Sequence, residues 1–370
     1  MGTKRSVVAA AMSGGVDSSV AAALLVEQGH EVVGITMDLF PLPFRACRDG
    51  DLQSCCGLNA RADAARVAAA LGISHVTADF RKDFERAVIA DFCAEYRRGR
   101  TPNPCVRCNR LVKFELLWKR VRRLGAERLA TGHHARVEYD RSRKRFLLKK
   151  GFDQAKDQSY FLHSLTQEQL GRTLFPVGGM TKADVRRAAA RLGLSVAAKP
   201  ESQEICFVPD RDYARFLRER MPGAFRPGPI VDRAGRIVGR HRGIAHYTIG
   251  QRKGMGVPGP HPYYVLSLDP DTNTVVMGRG EELMKKRLRV AEVNWIAIKG
   301  LARAREAAVK IRYRHREAKA VLRPSKAGEV VVEFERPQRA VTPGQSAVFY
   351  DGEIVLGGGI IEAALDEGGP

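Results

Sequence analysis

An apolar run, Val7–Met12, is followed at once by Ser13-Gly14-Gly15-Val16-Asp17-Ser18 and then by an Ala/Leu-rich stretch to Glu27. Strand, glycine turn and helix in that order leave few folds open. The turn places free backbone N–H groups at a helix N-terminus, which is an arrangement that holds phosphate. No lysine follows the glycines, so the loop is not of the Walker A kind, whose lysine reaches the β- and γ-phosphates. A plainer reading has Gly14 and Gly15 merely turning the chain and Asp17 capping the helix. Two adjacent glycines inside Ser…Asp-Ser, at the first strand of a βαβ unit, favour the phosphate reading.

The pattern continues to about residue 135. Strands are expected at Glu31–Leu39, Ile73–Asp79 and from Leu129 to Thr131, with helices at Ser18–Glu27, Leu58–Leu71, Phe80–Arg98 and Lys113–Leu124. Short apolar strands alternating with helices imply a parallel sheet covered on both faces, with ligands at its carboxyl edge. Gly132-His133-His134 falls at that edge. Pro102 and Pro104 keep the stretch from Gly99 to Pro104 extended or turned, so the cysteines after it lie at a loop-to-helix junction. Tyr139–Arg145 reads as a charged hairpin turn and Thr181–Leu192 as a helix. From Met221 to Gly259, Pro and Gly allow only short strands and turns, and Gly250–Gly259 suits a mobile lid or simple turns equally.

Strand-like segments dominate from Arg289: Val290–Ile298, Ala307–Tyr313, Glu317–Val321, Val330–Glu335, Ser346–Tyr350 and Ile354–Ile360, with Asp351-Gly352 as a hairpin signal. They suggest a small antiparallel barrel. The expected fold class is α/β, in three parts. These are an N-terminal parallel-sheet catalytic domain over 1–210, a small Gly/Pro-rich central domain over 211–284 and a basic β-barrel over 285–365. The final Asp366–Pro370 is expected to fray.

The formal net charge of +21 calls for a polyanionic partner. No segment is apolar enough to span a membrane, and the N-terminus lacks the pattern of a secretory signal. The basic residues are spread through domain-like sequence and not gathered on one amphipathic helix, which favours nucleic acid over membrane. In Val309-Lys310-Ile311-Arg312-Tyr313-Arg314 a period of two puts Lys310, Arg312 and Arg314 on one face. That face is either simply solvated or a surface for an RNA backbone, and the total charge favours RNA.

Seven cysteines, at 47, 55, 56, 93, 105, 108 and 206, form an odd set that suits reactive or metal-binding thiols better than structural disulfides. Cys105-Val106-Arg107-Cys108 opens a helix, where the helix N-terminus, Arg107 and Arg110 lower the thiol pKa. There is no second CxxC to complete a four-cysteine zinc site. Cys206 has polar neighbours before it and apolar ones after it, which fits a strand edge and leaves both a packing and a chemical role open.

The loop at 13–18 resembles that of the PP-loop ATP pyrophosphatases, which have an adenine nucleotide alpha hydrolase-like fold and cleave ATP to AMP and pyrophosphate. The whole chain resembles the tRNA-specific 2-thiouridylase family. The stretches that carry this are AMSGGVDSS at 11–19, GITM at 34–37, TPNPCVRCN at 101–109, TGHHAR at 131–136, KDQSYFLH at 156–163, ESQEICF at 201–207 and HYTIGQRKGMG at 246–256. The resemblance implies a PP-loop domain, a small central domain and a C-terminal β-barrel. It places ATP on Ala11, Met12, Ser13, Gly14, Gly15, Val16, Asp17 and Ser18, with Met37 and Gly132 also at the nucleotide and Mg²⁺ near Asp17.

It further implies that AMP is placed on O2 of the wobble uridine and displaced by sulfur. Cys206 would carry the incoming persulfide, and Cys108 would be the partner thiol, leaving a transient Cys108–Cys206 disulfide. Asn103, Pro104 and Cys105 are implied at the target base, and His133, Lys156, Asp157, Gln158, Arg312, Tyr313 and Gln345 at the tRNA. The implied partners are Gln, Lys and Glu tRNAs and a persulfide donor protein, in the cytoplasm.

One position departs from the family pattern. Many relatives have Asp where Cys105 stands, and a thiol cannot simply inherit a carboxylate's proton-transfer role. Cys105 then lines the uridine pocket, acts as a thiolate, or joins Cys108 and Cys206 as ligands of a [4Fe–4S] cluster. The persulfide route is the favoured expectation. Other PP-loop RNA-modifying enzymes form one alternative, although those that amidate, make lysidine or synthesise argininosuccinate need no pair of thiols. A non-enzymatic RNA-binding or sulfur-carrier scaffold leaves the Ser13–Ser18 loop without a task.

Overall fold

The computed structural model describes residues 6–40, 58–200, 205–208, 210, 212–259 and 261–365. The chain divides into two compact units. One is formed by the described parts of Met1–Val88, Cys105–Arg211 and Glu353–Val355, the other by those of Ile89–Pro104, Asp212–Gly352 and Leu356–Pro370.

The first unit is built on β1 (Val7–Ala11), β2 (Glu31–Asp38), β3 (Ser74–Asp79), β4 (Arg128–Ala130) and the two-residue β7 (Thr173–Leu174). They lie in the order β3-β2-β1-β4-β7, and each neighbouring pair is parallel. β1 pairs with β2 on one side and β4 on the other, so the strand order reverses at β1. In an open α/β sheet the ligand crevice lies at the carboxyl ends of the strands flanking that reversal. Helix α1 (Val16–Glu27) buries Val20, Ala21, Ala22, Ala23 and Leu25. Small alanines there let Val185, Ala188 and Ala189 of the helix Lys182–Arg191 join the same core as Val8, Ala10 and Met12. Helix α2 (Leu58–Ala70) adds Ala64, Val67 and Ala68. A hairpin, β5 (Ala135–Asp140) with β6 (Arg145–Lys150), follows β4, with Lys144 at φ +50° in its turn.

The helix expected from Lys113 starts much earlier. Helical backbone runs as Pro104–Arg107, Cys108–Leu117 and Trp118–Arg122, with the middle stretch π-helical. Pro104 stands at the first helical position, where a missing N–H costs nothing, so it begins the helix it was expected only to precede. π-Helical stretches concentrate at functional sites, and this one begins at Cys108.

The second unit contains a four-stranded sheet of β8 (Gly228–Val231), β9 (Ile237–His241), β10 (Tyr264–Asp269) and β11 (Thr274–Gly278), in the order β10-β11-β8-β9. Met255 packs into its core with Ile230, Tyr247, Val265, Val275 and Met277. The described glycine-rich stretch from 251 to 259 forms no helix or strand, with Gly254 and Gly256 at positive φ. Then come β12 (Met284–Trp295), β13 (Arg305–Lys310), β14 (Ala318–Pro324), β15 (Val330–Arg339), β16 (Ser346–Asp351) and β17 (Ile354–Leu365). They run β12-β15-β14-β13-β16-β17, and a β12–β17 pairing closes an antiparallel six-stranded barrel. Gly352, at φ +59°, lies in the turn between β16 and β17. β13 ends at Lys310, short of the expected Tyr313, because the chain turns and the His315 N–H donates to the Arg312 carbonyl at 3.1 Å. Burial still alternates, with Val309 and Ile311 inside and Arg314 exposed.

Among the described residues no helix is long and apolar enough to cross a membrane. Cys47, Cys55, Cys56 and the residues 201–204 of the ESQEICF stretch lie outside the described residues.

Candidate active site

The loop after β1 is closed by its own serines. The Ser13 N–H donates to Ser18 Oγ at 3.1 Å, and the Ser18 and Ser19 hydroxyls both donate to the Gly15 carbonyl at 3.0 Å. Gly14 has φ +70°, and a Cβ there would lie 2.1 Å from the Ala60 carbonyl oxygen. Gly15 is the N-cap and makes no side-chain bond, so Asp17 is not the cap. It sits one residue into α1, where Lys182 Nζ donates to both of its carboxylate oxygens at 2.7 Å and His134 Nε2 lies 3.1 Å from Oδ1. Burial pulls the Asp17 carboxyl upward, but the hydrogen bonds and charges of His134 and Lys182 outweigh it and hold the pKa below the usual carboxylate value.

A cavity of about 190 Å³ opens beside this loop, lined by residues from the carboxyl ends of β1, β2 and β4 together with Lys113 and Gln158. It brings together Ala11, Met12, Ser13, Asp17, Ser18, Met37, Gly132, His133 and Gln158, nine of the residues expected at nucleotide or tRNA. Gly132 has no room for a side chain, since a Cβ would meet Ser18 N at 2.5 Å. Thr36, also lining the cavity, donates to the Met12 carbonyl at 2.7 Å and so ties β2 to the strand end before the loop. His133 Nδ1 lies 2.7 Å from Thr131 Oγ1. Burial first, then the charges of Lys113 and His134, hold the His133 pKa well below 6.5, so its ring is neutral near pH 7. Gln158 brackets His134, accepting from its N–H on Oε1 and donating its own N–H to the His134 carbonyl, both at 2.9 Å.

Asp157 is 5% exposed, and its carboxylate accepts from the Gly151 and Ser159 N–H groups and the Ser159 hydroxyl. It holds a turn, while Lys156 beside it stays half-buried. Lys182 and Lys199 carry no functional signal in the sequence. Lys182 reaches Asp17, and Lys199 donates to the Gly14 carbonyl at 2.9 Å while pairing with Asp63. Thr-Lys-Ala-Asp at 181–184 is a capping box, as observed, and that signal places Lys182 at the first helical position. No local signal ties it to a residue 165 positions away.

None of the described cysteines is in a disulfide: Cys105 is exposed, Cys108 buried, and Cys93 and Cys206 lie between. Cys206 sits in a turn, not at the expected strand edge, with the Val208 N–H bonded to the Ile205 carbonyl at 2.9 Å. Its neighbour Phe207 is buried, edge-on to Phe84 at 5.8 Å, and anchors the turn. Among the described residues no three His, Cys, Asp or Glu side chains form a metal-holding group, so Cys105, Cys108 and Cys206 are not gathered as cluster ligands.

In the second unit, Gln345 Nε2 donates to the Thr101 and Pro102 carbonyls at 2.9 and 3.2 Å, and the Thr101 N–H donates to the Pro343 carbonyl. Gln345 therefore fixes the backbone leading to Asn103 and Pro104. An Arg312 guanidinium N–H donates to the Arg339 carbonyl. Lys310 Nζ lies 5.6 Å from the Tyr313 ring centroid.

Three family profiles match the chain: one described as a tRNA methyl transferase HUP domain over 6–210, one as a tRNA methyl transferase PRC-barrel domain over 214–279, and one as an aminomethyltransferase beta-barrel domain over 285–361. The chain is 52% identical over 364 residues to the tRNA-specific 2-thiouridylase MnmA of Heliobacterium modesticaldum, covering 98% of this chain and 94% of that one. It is 51% identical over 366 residues to the tRNA-specific 2-thiouridylase MnmA of Geobacter metallireducens, covering 99% and 98%.

Proposed function

Because this chain belongs to the tRNA-specific 2-thiouridylase family, we propose that it works as one: the Asp17 loop activates a tRNA wobble uridine with ATP, and Cys206 and Cys108 deliver the sulfur. The observation that carries this reading is a glycine loop at the sheet's switch point, opening on a cavity lined by Asp17, Met37, Gly132 and His133. A triphosphate fits the loop's chemistry, since the first N–H groups of α1 have no partner within the helix and the loop borders the cavity through Ser13, Asp17 and Ser18. Magnesium enters as the counter-ion of the substrate's phosphates, because Lys182 and His134 already share the Asp17 oxygens.

Uridine O2 attacks the α-phosphate, and the bond to the bridging oxygen breaks, releasing pyrophosphate. The C2 oxygen, now esterified to AMP, can leave. The terminal sulfur of a Cys206 persulfide attacks C2 and displaces AMP. The Cys108 thiolate then attacks Sγ of Cys206. The S–S bond breaks, its electrons stay with the sulfur on C2, and Cys108 and Cys206 are left as a disulfide that a cytosolic dithiol reduces. Cys108 stands at the start of the π-helical stretch, next to Arg107. Cys105 lines the base pocket in this scheme with Asn103 and Pro104, and no step passes through a cluster.

Work divides along the chain. Residues 1–210 carry the chemistry, while 211–284 and the basic barrel over 285–365 hold the tRNA through Arg312, Tyr313 and a loop braced by Gln345. His133, Lys156 and Gln158 face the RNA from the catalytic side, with Asp157 shaping their turn. The tRNAs for Gln, Lys and Glu, a persulfide donor protein and a cytoplasmic setting complete the reading.

The deciding experiment supplies the purified chain with ATP, Mg²⁺, a persulfide source and anticodon-stem-loop RNA, followed by nucleoside mass spectrometry. The expected products are 2-thiouridine, AMP and pyrophosphate in equal amounts. Pyrophosphate release without thiolated nucleoside would place the chain with another PP-loop reaction, and binding of RNA with neither product would make it a scaffold.

A further inference from the structure

We propose that Lys182 is the phosphate-binding cation of the Ser13–Ser18 loop, delivered from the helix Lys182–Arg191 because the loop has no lysine of its own. This rests on the reading that ATP is the co-substrate. A phosphate loop works with positive potential, yet this one presents a carboxylate, Asp17, to the cavity. Left alone, that anion would repel the incoming triphosphate. Lys182 Nζ, 2.7 Å from both Asp17 oxygens on a side chain only 11% exposed, sets a positive charge directly behind that carboxylate.

The lysine is held there from several sides. Its backbone N–H donates to Asp153 Oδ2 at 3.0 Å, and Thr181 caps the helix with Asp184 as the reciprocal partner. Val185, Ala188 and Ala189 then seat that helix in one core with α1. Nζ is thus fixed relative to the N–H groups that open α1, and a second helix supplies the cation that a Walker A loop carries in its own sequence. When ATP binds, the ammonium shares its hydrogen bonds between Asp17 and the β- and γ-phosphate oxygens. As uridine O2 attacks the α-phosphorus, the bond to the bridging oxygen breaks and negative charge gathers on the departing pyrophosphate, where Lys182 is placed to stabilise it. Lys199 differs, since its Nζ bonds the Gly14 carbonyl and Asp63 and so braces the loop from its backbone.

The test is calorimetric binding of ATP, pyrophosphate and AMP to the full chain, for wild type, Lys182→Gln, Lys182→Arg and the Asp17→Asn/Lys182→Gln pair. The double variant removes both charges together and leaves no buried ion unpaired. Lys182→Gln and the double variant should lose roughly ten- to hundredfold in affinity for ATP and pyrophosphate, as expected for one charged hydrogen-bonding group, and keep their affinity for AMP. Lys182→Arg should recover part of the loss. Pyrophosphate affinity unchanged in both variants, or AMP affinity falling as far as pyrophosphate affinity, would overturn the assignment and leave Lys182 a structural partner of Asp17. Wild-type protein binding neither ATP nor pyrophosphate would instead overturn the reading of ATP as co-substrate.

Discussion

Asp17 shows how a single carboxylate is tuned by what touches it. Its pKa is depressed in the folded protein, so the stability it contributes is present above the ordinary carboxylate value and is lost as pH falls through the folded one. Replacing it with Asn leaves the Lys182 ammonium short of its main counter-charge. Asp17→Asn is expected to cost about 2 kcal/mol, the modest end for a paired charge because 29% of the Asp17 side chain stays exposed. Denaturant unfolding measures this. The variant should lose tRNA-dependent pyrophosphate release while binding tRNA nearly as before, since RNA affinity is spread over many basic residues. Equal loss of both would mean a shared site. The thiols are separable in the same way. With labelled persulfide, Cys206→Ser should accept no sulfur yet still activate uridine, whereas Cys108→Ser should hold label on Cys206 and stop there. Label on Cys108 in the Cys206 variant would exchange their roles.

At the scale of elements, the turn between β1 and α1 leaves the least freedom. Gly14 combines φ +70° with a Cβ position 2.1 Å from the Ala60 carbonyl, so Gly14→Ala must shift either the loop or α2. Nucleotide affinity should fall by more than tenfold in a protein that still folds, because the displaced N–H groups are those proposed to meet phosphate. Unaltered ATP binding in a folded Gly14→Ala protein would remove the loop from the phosphate site. Elements were legible where the signal is local. The glycine turn, the helix after Thr181 and the turn at Gly352 all appear where their residues predict. That Pro104 itself begins a helix and that β13 ends early were not, since proline serves equally in a loop or at a first helical position, and alternation alone does not say where pairing stops.

For the whole molecule, the net charge of +21 is the dominant long-range quantity. It draws tRNA through counter-ion release, so affinity should fall steeply with salt. Arg312→Ala is expected to weaken tRNA binding and reduce the slope of log affinity against log salt by about one, with ATP binding unchanged. An unchanged slope would take Arg312 out of the set that meets the backbone. Its guanidinium also bonds the Arg339 carbonyl, so an Arg312→Lys comparison separates charge from that bond.

What the amino-acid order determined by itself was short-range or additive: the glycine turn, the alternation of strands and helices, the CxxC spacing and the positive charge. Each depends on neighbours in the chain or on a sum over it. The tertiary structure alone decided which distant groups meet. Sheet order placed β4 beside β1, which brought Gly132 against Ser18. Packing of one helix on α1 carried Lys182 to Asp17, and burial turned Asp157 inward to hold a turn. Those pairings follow from the lowest free energy of the whole core, to which every segment contributes, and no local pattern encodes them.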